Sequence, residues 1–243
     1  MTKGTGVAIV ALLLAVTGPL AMASASGRSE QPAPGLVNNI VQHTMAAPDF
    51  TLTDQHGQPF HLADARGKVV VLCFIYTHCT DICPFIAVKV RDAYQQLGAD
   101  AANVAFVAVT TDPKRDVPDV TSAYSKALGL DDAWHFVGGQ PKDVQAVWKS
   151  YAIGVTVNED TGAVAAKDEA MSMKDMPVPS QGLSDDDQGL ANQIADKFGG
   201  GYDVGHSAPF WIVDKKGVIE AGMDDDATPS DLVANIRTLL KAN

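Results

Sequence analysis

Two cysteines, Cys79 and Cys83, stand four residues apart in the segment Tyr76-Thr77-His78-Cys79-Thr80-Asp81-Ile82-Cys83-Pro84. Residues at i and i+4 share one face of a helix, one turn apart. A disulfide needs Cα atoms about 4.4–6.8 Å apart, which this spacing meets if the first cysteine unwinds slightly. The same separation lets both sulfurs close on one metal ion. An inert disulfide is the plainer alternative, but so short a loop stabilises little. Spacing alone therefore leaves metal ligation and dithiol redox chemistry open. Cys73, the remaining one of three cysteines, lies in the apolar run 69–76 and reads as a small core hydrophobe.

A metal held by two thiolates calls for a further ligand. Of the six histidines, His56 and His61 fall in an early hairpin, His43 in a polar lead-in and His135 on a strand surface. His78 adjoins Cys79, which directs its side chain off the metal face. His206, in Tyr202-Asp203-Val204-Gly205-His206-Ser207, falls in a loop just before a returning strand. In a thioredoxin-like sheet that loop lies against the N-terminus of the dithiol helix. A lone loop histidine is usually idle, so position makes His206 a candidate and no more. Two thiolates and an imidazole form a soft donor set that suits copper. Met171, Met173 and Met176 offer closely spaced thioethers, which either hold copper as an auxiliary site or pack onto the domain.

The elements that must position these residues follow from periodicity. Phe50 and Leu52, then Phe60 and Leu62, alternate with polar residues around the turn Asp54-Gln55-His56-Gly57: a hairpin. Residues 69–76 have the length and β-branched content of a strand buried on both faces. Ile86, Val90, Tyr94 and Leu97 recur at helical spacing directly after the cysteines. A thiol at such a helix N-terminus is biased toward thiolate, the form that ligates metal and attacks disulfides. Strands over 104–109 and 134–137 alternate with helices over 117–128 and around Val144, Val147, Trp148 and Tyr151. Residues 112–116 read as a turn, with Asp116 as a helix N-cap. Residues 156–204 break the rhythm and read as a long insertion with one helix near 188–198. Strands over 209–213 and 218–221 and a helix over 230–240 close the chain. This order specifies an α/β fold: a mixed sheet flanked by helices, with an N-terminal hairpin and an insertion before the last hairpin.

Targeting and charge bound the functional classes. Lys3, an apolar stretch from Val7 to Val16, Gly18-Pro19 and Ala23-Ser24-Ala25 describe a secretory signal peptide over residues 1–25. The apolar stretch falls short of the roughly 20 residues that span a bilayer. No cysteine stands at the expected cleavage junction, so no lipid anchor is expected there. Residues 26–45 then read as a flexible lead-in and 46–243 as the folded domain, exported to the periplasm or the extracytoplasmic membrane face, with no transmembrane segment in the mature chain. A formal net charge of −11 with no basic run argues against nucleic acid as a partner.

Three motifs in order carry a resemblance: Tyr76-Thr77-His78-Cys79-x₃-Cys83-Pro84, Asp112-Pro113-Lys114-Arg115-Asp116, and Tyr202-x-Val204-x-His206-Ser207 followed by a strand and Asp214-x-x-Gly217. Together they resemble the Sco/SenC family over residues 47–240. The resemblance implies a thioredoxin-like (peroxiredoxin-like) fold that binds one copper ion through Cys79, Cys83 and His206. It further implies a role in metallating the copper-receiving subunit of cytochrome c oxidase, or in keeping that site's cysteines reduced. Two departures stand out. Thr80 replaces a common proline, loosening the loop, and Gly205 replaces an acidic or polar residue, leaving His206 less well oriented. Two other activities use the same thiols. A thiol–disulfide oxidoreductase would act on exported thiol proteins without metal, but leaves His206 unexplained. A thiol peroxidase would draw on Thr80-x-x-Cys83, but Tyr76 stands where that pattern wants proline.

Overall fold

The computed structural model describes residue 1, residues 31–158 and residues 180–242. The expected signal segment and Met171, Met173 and Met176 lie outside the described residues. The chain enters with a two-residue strand, β1 (Met45–Ala46), and a hairpin of β2 (Thr51–Thr53) and β3 (Pro59–His61). Then come β4 (Val69–Ile75), α1 (Cys83–Leu97), β5 (Val104–Thr110), α2 (Pro118–Leu128), β6 (Trp134–Val137) and α3 (Pro141–Ser150). A short strand β7 (Val155–Asn158), helix α4 (Asp185–Phe198) and strand β8 (Asp203–His206) follow. The chain closes with β9 (Phe210–Val213), β10 (Val218–Met223) and α5 (Pro229–Lys241).

Six strands form one mixed sheet in the order β1-β10-β9-β4-β5-β6. β4, β5 and β6 are parallel, and β9 runs antiparallel to both β4 and β10. β4 is apolar throughout because helices and the hairpin cover both faces. Its side chains alternate between two cores. Val69, Val71, Cys73 and Ile75 pack with α1, α4 and α5, while Val70, Leu72 and Phe74 pack with the hairpin and with Val144, Val147 and Trp148 of α3. Each large apolar side chain buried this way contributes roughly 1.5–3 kcal/mol. The cysteine-bearing loop thus hangs from a strand buried along its whole length.

Proline sets the helix starts. Pro84, Pro118, Pro141 and Pro229 each occupy a first helical turn, where the missing N–H costs nothing and φ is already helical. α4 has no such proline and begins three residues before the expected 188. Ser184 caps it by accepting from the Asp187 N–H, and Asp185, Asp186 and Asp187 fill the first turn, where the helix dipole favours negative charge.

The insertion is not a plain interruption at its ends. β7 and β8 pair antiparallel as a two-stranded ribbon of their own, matching Val155 with His206 and Asn158 with Asp203. His206 therefore ends a strand rather than lying in a loop. The lead-in, described from residue 31, is tied to the domain: the Val37 N–H donates to Asn235 Oδ1 at 2.7 Å, and the Ile40 N–H donates to the Gly222 carbonyl at 2.8 Å.

Candidate metal centre

The chain leaves β4 at Ile75, turns through 76–82 and enters α1 at Cys83. Cys79 and Cys83 are free thiols, 3% and 0% exposed. Burial opposes ionisation of either. For Cys79 that effect is more than offset by hydrogen bonds from the Cys83 side chain and from the Cys83 and Asp81 N–H groups, so its pKa is lowered. The Asp81 N–H reaches the Cys79 sulfur at 3.4 Å. Burial and the Cys79 sulfur push Cys83 well up. The pair is asymmetric: Cys79 is the readier thiolate and Cys83 keeps its proton.

His206 meets this pair through Cys83. Its Nε2 lies 3.2 Å from Cys83 Sγ, and its Nδ1 lies 3.0 Å from the Ser207 carbonyl oxygen. A carbonyl only accepts, so Nδ1 carries the ring proton. Burial lowers the pKa of His206, which keeps the ring neutral. A neutral ring protonated at Nδ1 presents a lone pair at Nε2, directly at the thiol. That is the orientation a metal-ligating histidine takes when its other nitrogen is committed to a carbonyl. The expected loss of orientation at Gly205 is thus corrected: the Ser207 backbone does the orienting.

A clasp of polar and aromatic groups holds β8 over the thiols. The Tyr76 hydroxyl donates to Asp203 Oδ1 at 2.7 Å and accepts from the Val204 N–H at 3.3 Å. The Tyr76 ring meets the His206 ring edge-on, with centroids 5.8 Å apart. Burial, together with the neighbouring Cys79 sulfur and the Asp203 bond, raises the Tyr76 pKa far above the ordinary phenol range, so the hydroxyl remains a donor. Arg115 stacks on the Tyr202 ring at 3.6 Å, pairs with Asp112 and donates to the Gly200 carbonyl at 2.9 Å. The Tyr202 hydroxyl donates to Asp112 at 2.7 Å. The Gly200 N–H bonds the His78 carbonyl, joining the glycine run directly to the cysteine loop. Gly201 has φ +82°, and a Cβ there would stand 2.8 Å from Arg115 Nη1. The left-handed φ and the close guanidinium together favour glycine there.

Asp116 does other work than the expected N-cap. α2 starts after an extended Val117 with no side-chain cap, as the residue before a proline is driven out of helical geometry. The Asp116 carboxyl is instead buried, accepting from the Thr77 N–H at 3.2 Å and from the Thr77 and Thr110 hydroxyls at 2.6 Å each. It ties the loop after β4 to the end of β5. The Asp112-to-Asp116 motif is structural, as expected, but by side-chain bonds that span the sheet. The clasp leaves no pattern in the sequence because its partners lie far apart in the chain. Tyr76 and Tyr202 were nevertheless visible inside the motifs.

His78 bonds Thr77 Oγ1 at 2.8 Å, and His135 faces Asp54 at 3.6 Å. Neither is placed at the thiols. Among the described residues, the three-residue group of His, Cys, Asp or Glu whose ligand atoms all lie within 4.8 Å of one another is His56, Asp131 and Asp132, at the sheet end where β6 begins. Cys79, Cys83 and His206 meet pairwise through Cys83 instead of closing into such a triangle. Their donor set, two sulfurs and one free imidazole lone pair, fits a soft ion that accepts few ligands.

The sheet order, the dithiol at the start of α1 and the covered parallel strands define a thioredoxin-like protein. Solved structures agree. ScoI of Bradyrhizobium japonicum with copper bound superposes with a TM-score of 0.57 at 22% identity, covering 80% of this chain and 99% of that one. BsSco, described as a member of the Sco family of cytochrome c oxidase assembly proteins, gives 0.55 at 17% identity, covering 88% and 100%. A SCO2-like protein of Rickettsia typhi is 31% identical over 118 residues, 49% of this chain and 58% of that relative's length. A sequence model of SCO1/SenC matches residues 39–174. The chain belongs to the SCO1/SenC family. That match holds Cys79 and Cys83 and ends before β8, so His206 enters on geometry.

Proposed function

We propose that this protein is an exported metallochaperone that carries one copper ion on Cys79, Cys83 and His206 and delivers it toward the copper site of cytochrome c oxidase. The observation that carries the proposal is the 3.2 Å approach of His206 Nε2 to Cys83 Sγ, with Nδ1 already committed to Ser207. That tautomer leaves the Nε2 lone pair free to ligate a metal beside the two sulfurs. The copper-bound ScoI and the assembly role stated for BsSco support the cargo and the destination. Among the described residues no helix is long and apolar enough to cross a membrane. Export rests on the signal-like residues 1–25, and work close to the membrane is compatible with it.

Copper is the cargo, and the chain's residues handle protons around it. Cys79, the readier thiolate, offers the first soft ligand, and Cys83 gives up its proton as the second forms. His206 supplies Nε2 without any proton to lose. A partner's thiolates can then replace these ligands one at a time. An external two-electron oxidant that joins the Cys79 thiolate and the Cys83 thiol in a disulfide, with release of the thiol proton, removes both sulfur ligands, so redox state gates binding.

The asymmetry of Cys79 and Cys83 also suits a thiol–disulfide oxidoreductase, which is the second reading. Comparing copper binding with reduction of a model disulfide, in the same reduced protein and in His206→Ala, separates the two. The chaperone reading expects His206→Ala to lose copper while keeping thiol exchange. Equal copper affinity in both proteins would pass the lead to the oxidoreductase.

A further inference from the structure

β8 lies outside the main sheet. Among the described residues its strand partner is β7, and the ribbon they form is a separate two-stranded sheet. No ladder of the central sheet therefore fixes where His206 stands relative to α1. The Gly200 N–H bond to the His78 carbonyl and the short connection to β9 hold the ends of β8 near the site, and side chains that reach from the central sheet fix the strand between them. Tyr76, at the end of β4 and 2% exposed, makes the most direct of these links. Its hydroxyl bonds two consecutive residues of β8, Asp203 at 2.7 Å and Val204 at 3.3 Å, and its ring packs on His206 at 5.8 Å. Arg115, stacked on Tyr202 and lying 5.7 Å from the Tyr76 ring, braces the start of the same strand. One side chain thus grips the strand two residues before the histidine and buttresses the histidine itself.

We propose that Tyr76 is a positioning residue whose hydroxyl, through Asp203 and Val204, holds His206 in register with Cys83. The inference rests on the copper reading for its function, but the geometry it asserts stands in the metal-free protein. Removing the hydroxyl leaves the Val204 N–H without its partner and frees β8 to move off the thiols, at the cost typical of a lost outer-shell contact, about tenfold in metal affinity.

The test uses the reduced full chain and Tyr76→Phe, with Asp203→Ala as a second route to the same loss from the strand side. In the metal-free protein, proton NMR reads the contact between the His206 ring and the Cys83 β-protons. The proposal expects it in wild type and expects both variants to weaken it. A contact undiminished in both variants overturns the proposal whether or not the protein binds copper. In protein loaded with Cu(II), the sulfur-to-copper absorption and electron paramagnetic resonance of Tyr76→Phe should shift toward those of His206→Ala. Affinity should fall about tenfold, and that loss should vanish in the His206→Ala background because the two residues act as one unit. The same tenfold loss in both backgrounds would mean that Tyr76 acts on the thiols or on overall stability, and would overturn the proposal. A wild type that shows the NMR contact but binds no copper would sink the copper reading and leave the positioning role intact.

Discussion

Cys83 Sγ and His206 Nε2 stand 3.2 Å apart across 123 residues of sequence. One belongs to the first turn of α1 and the other ends a ribbon strand outside the main sheet. Bringing a thiol and an unprotonated imidazole nitrogen together costs backbone order on both sides, and the chain meets that cost with a buried clasp. The proposed metal site uses this arrangement as a ligand pair.

Copper binding should be proton-linked through Cys83. Its pKa is raised by burial and by the Cys79 sulfur, so a proton is displaced whenever copper binds near neutrality. Affinity should rise with pH between pH 6 and 8, by about tenfold per unit for the Cys83 proton and more steeply where Cys79 gives up a proton as well. His206 adds less to the slope than an ordinary histidine would, because burial lowers its pKa and favours the neutral ring. Competition titrations at three pH values measure this. A flat dependence would mean that Cys83 binds as a thiol or does not bind.

Asp116 makes stability depend on pH. Burial raises its carboxyl from 3.8 to about 7, so the fold favours the protonated acid. Its stabilising contribution is complete below pH 4 and fades as pH climbs to about 7, by about 1.4 kcal/mol per unit. Asp116→Asn mimics the neutral form, so its stability should lack that decline. Urea unfolding at pH 4.5 and pH 8 should show wild type losing ground against the variant. Parallel changes in the two proteins would refute the assignment.

Two glycines near the end of the insertion make a matched pair. A Cβ on Gly199 would lie 2.4 Å from the Ala195 carbonyl oxygen and 2.4 Å from Thr80 in the cysteine loop. Gly199→Ala should therefore destabilise by about 1–3 kcal/mol and weaken copper binding as Thr80 is displaced. Gly189, inside α4, has nothing within 4 Å of its Cβ position, and Gly189→Ala should stabilise by about 0.5–1 kcal/mol. Thermal unfolding of both variants beside copper affinity checks the contrast.

Cys73 should be inert. It is 2% exposed inside β4, and burial raises its thiol to about 12. Alkylation of the native protein should spare it, and Cys73→Ala should cost about 1 kcal/mol of stability with copper affinity unchanged. Loss of copper in that variant would place Cys73 in the site, against the geometry.

The sheet and its helices were legible because each signal was local. β4 showed as an apolar run and α1 as the spacing of Ile86, Val90, Tyr94 and Leu97. Cys79 and Cys83 were legible for the same reason. The pairing of β7 with β8 was not, because four-residue strands separated by more than forty residues leave no period to read. The roles of Ser207 and Asp116 were hidden too. One acts through a backbone carbonyl, which no side-chain pattern announces, and the other bonds residues on two other elements.

The most direct test is an anaerobic copper titration of the reduced protein beside Cys79→Ala, Cys83→Ala and His206→Ala. One tight equivalent in wild type, abolished or weakened at least about tenfold in each variant, is the predicted result. Tight binding that survives His206→Ala, or no binding in the reduced wild type, would contradict the account.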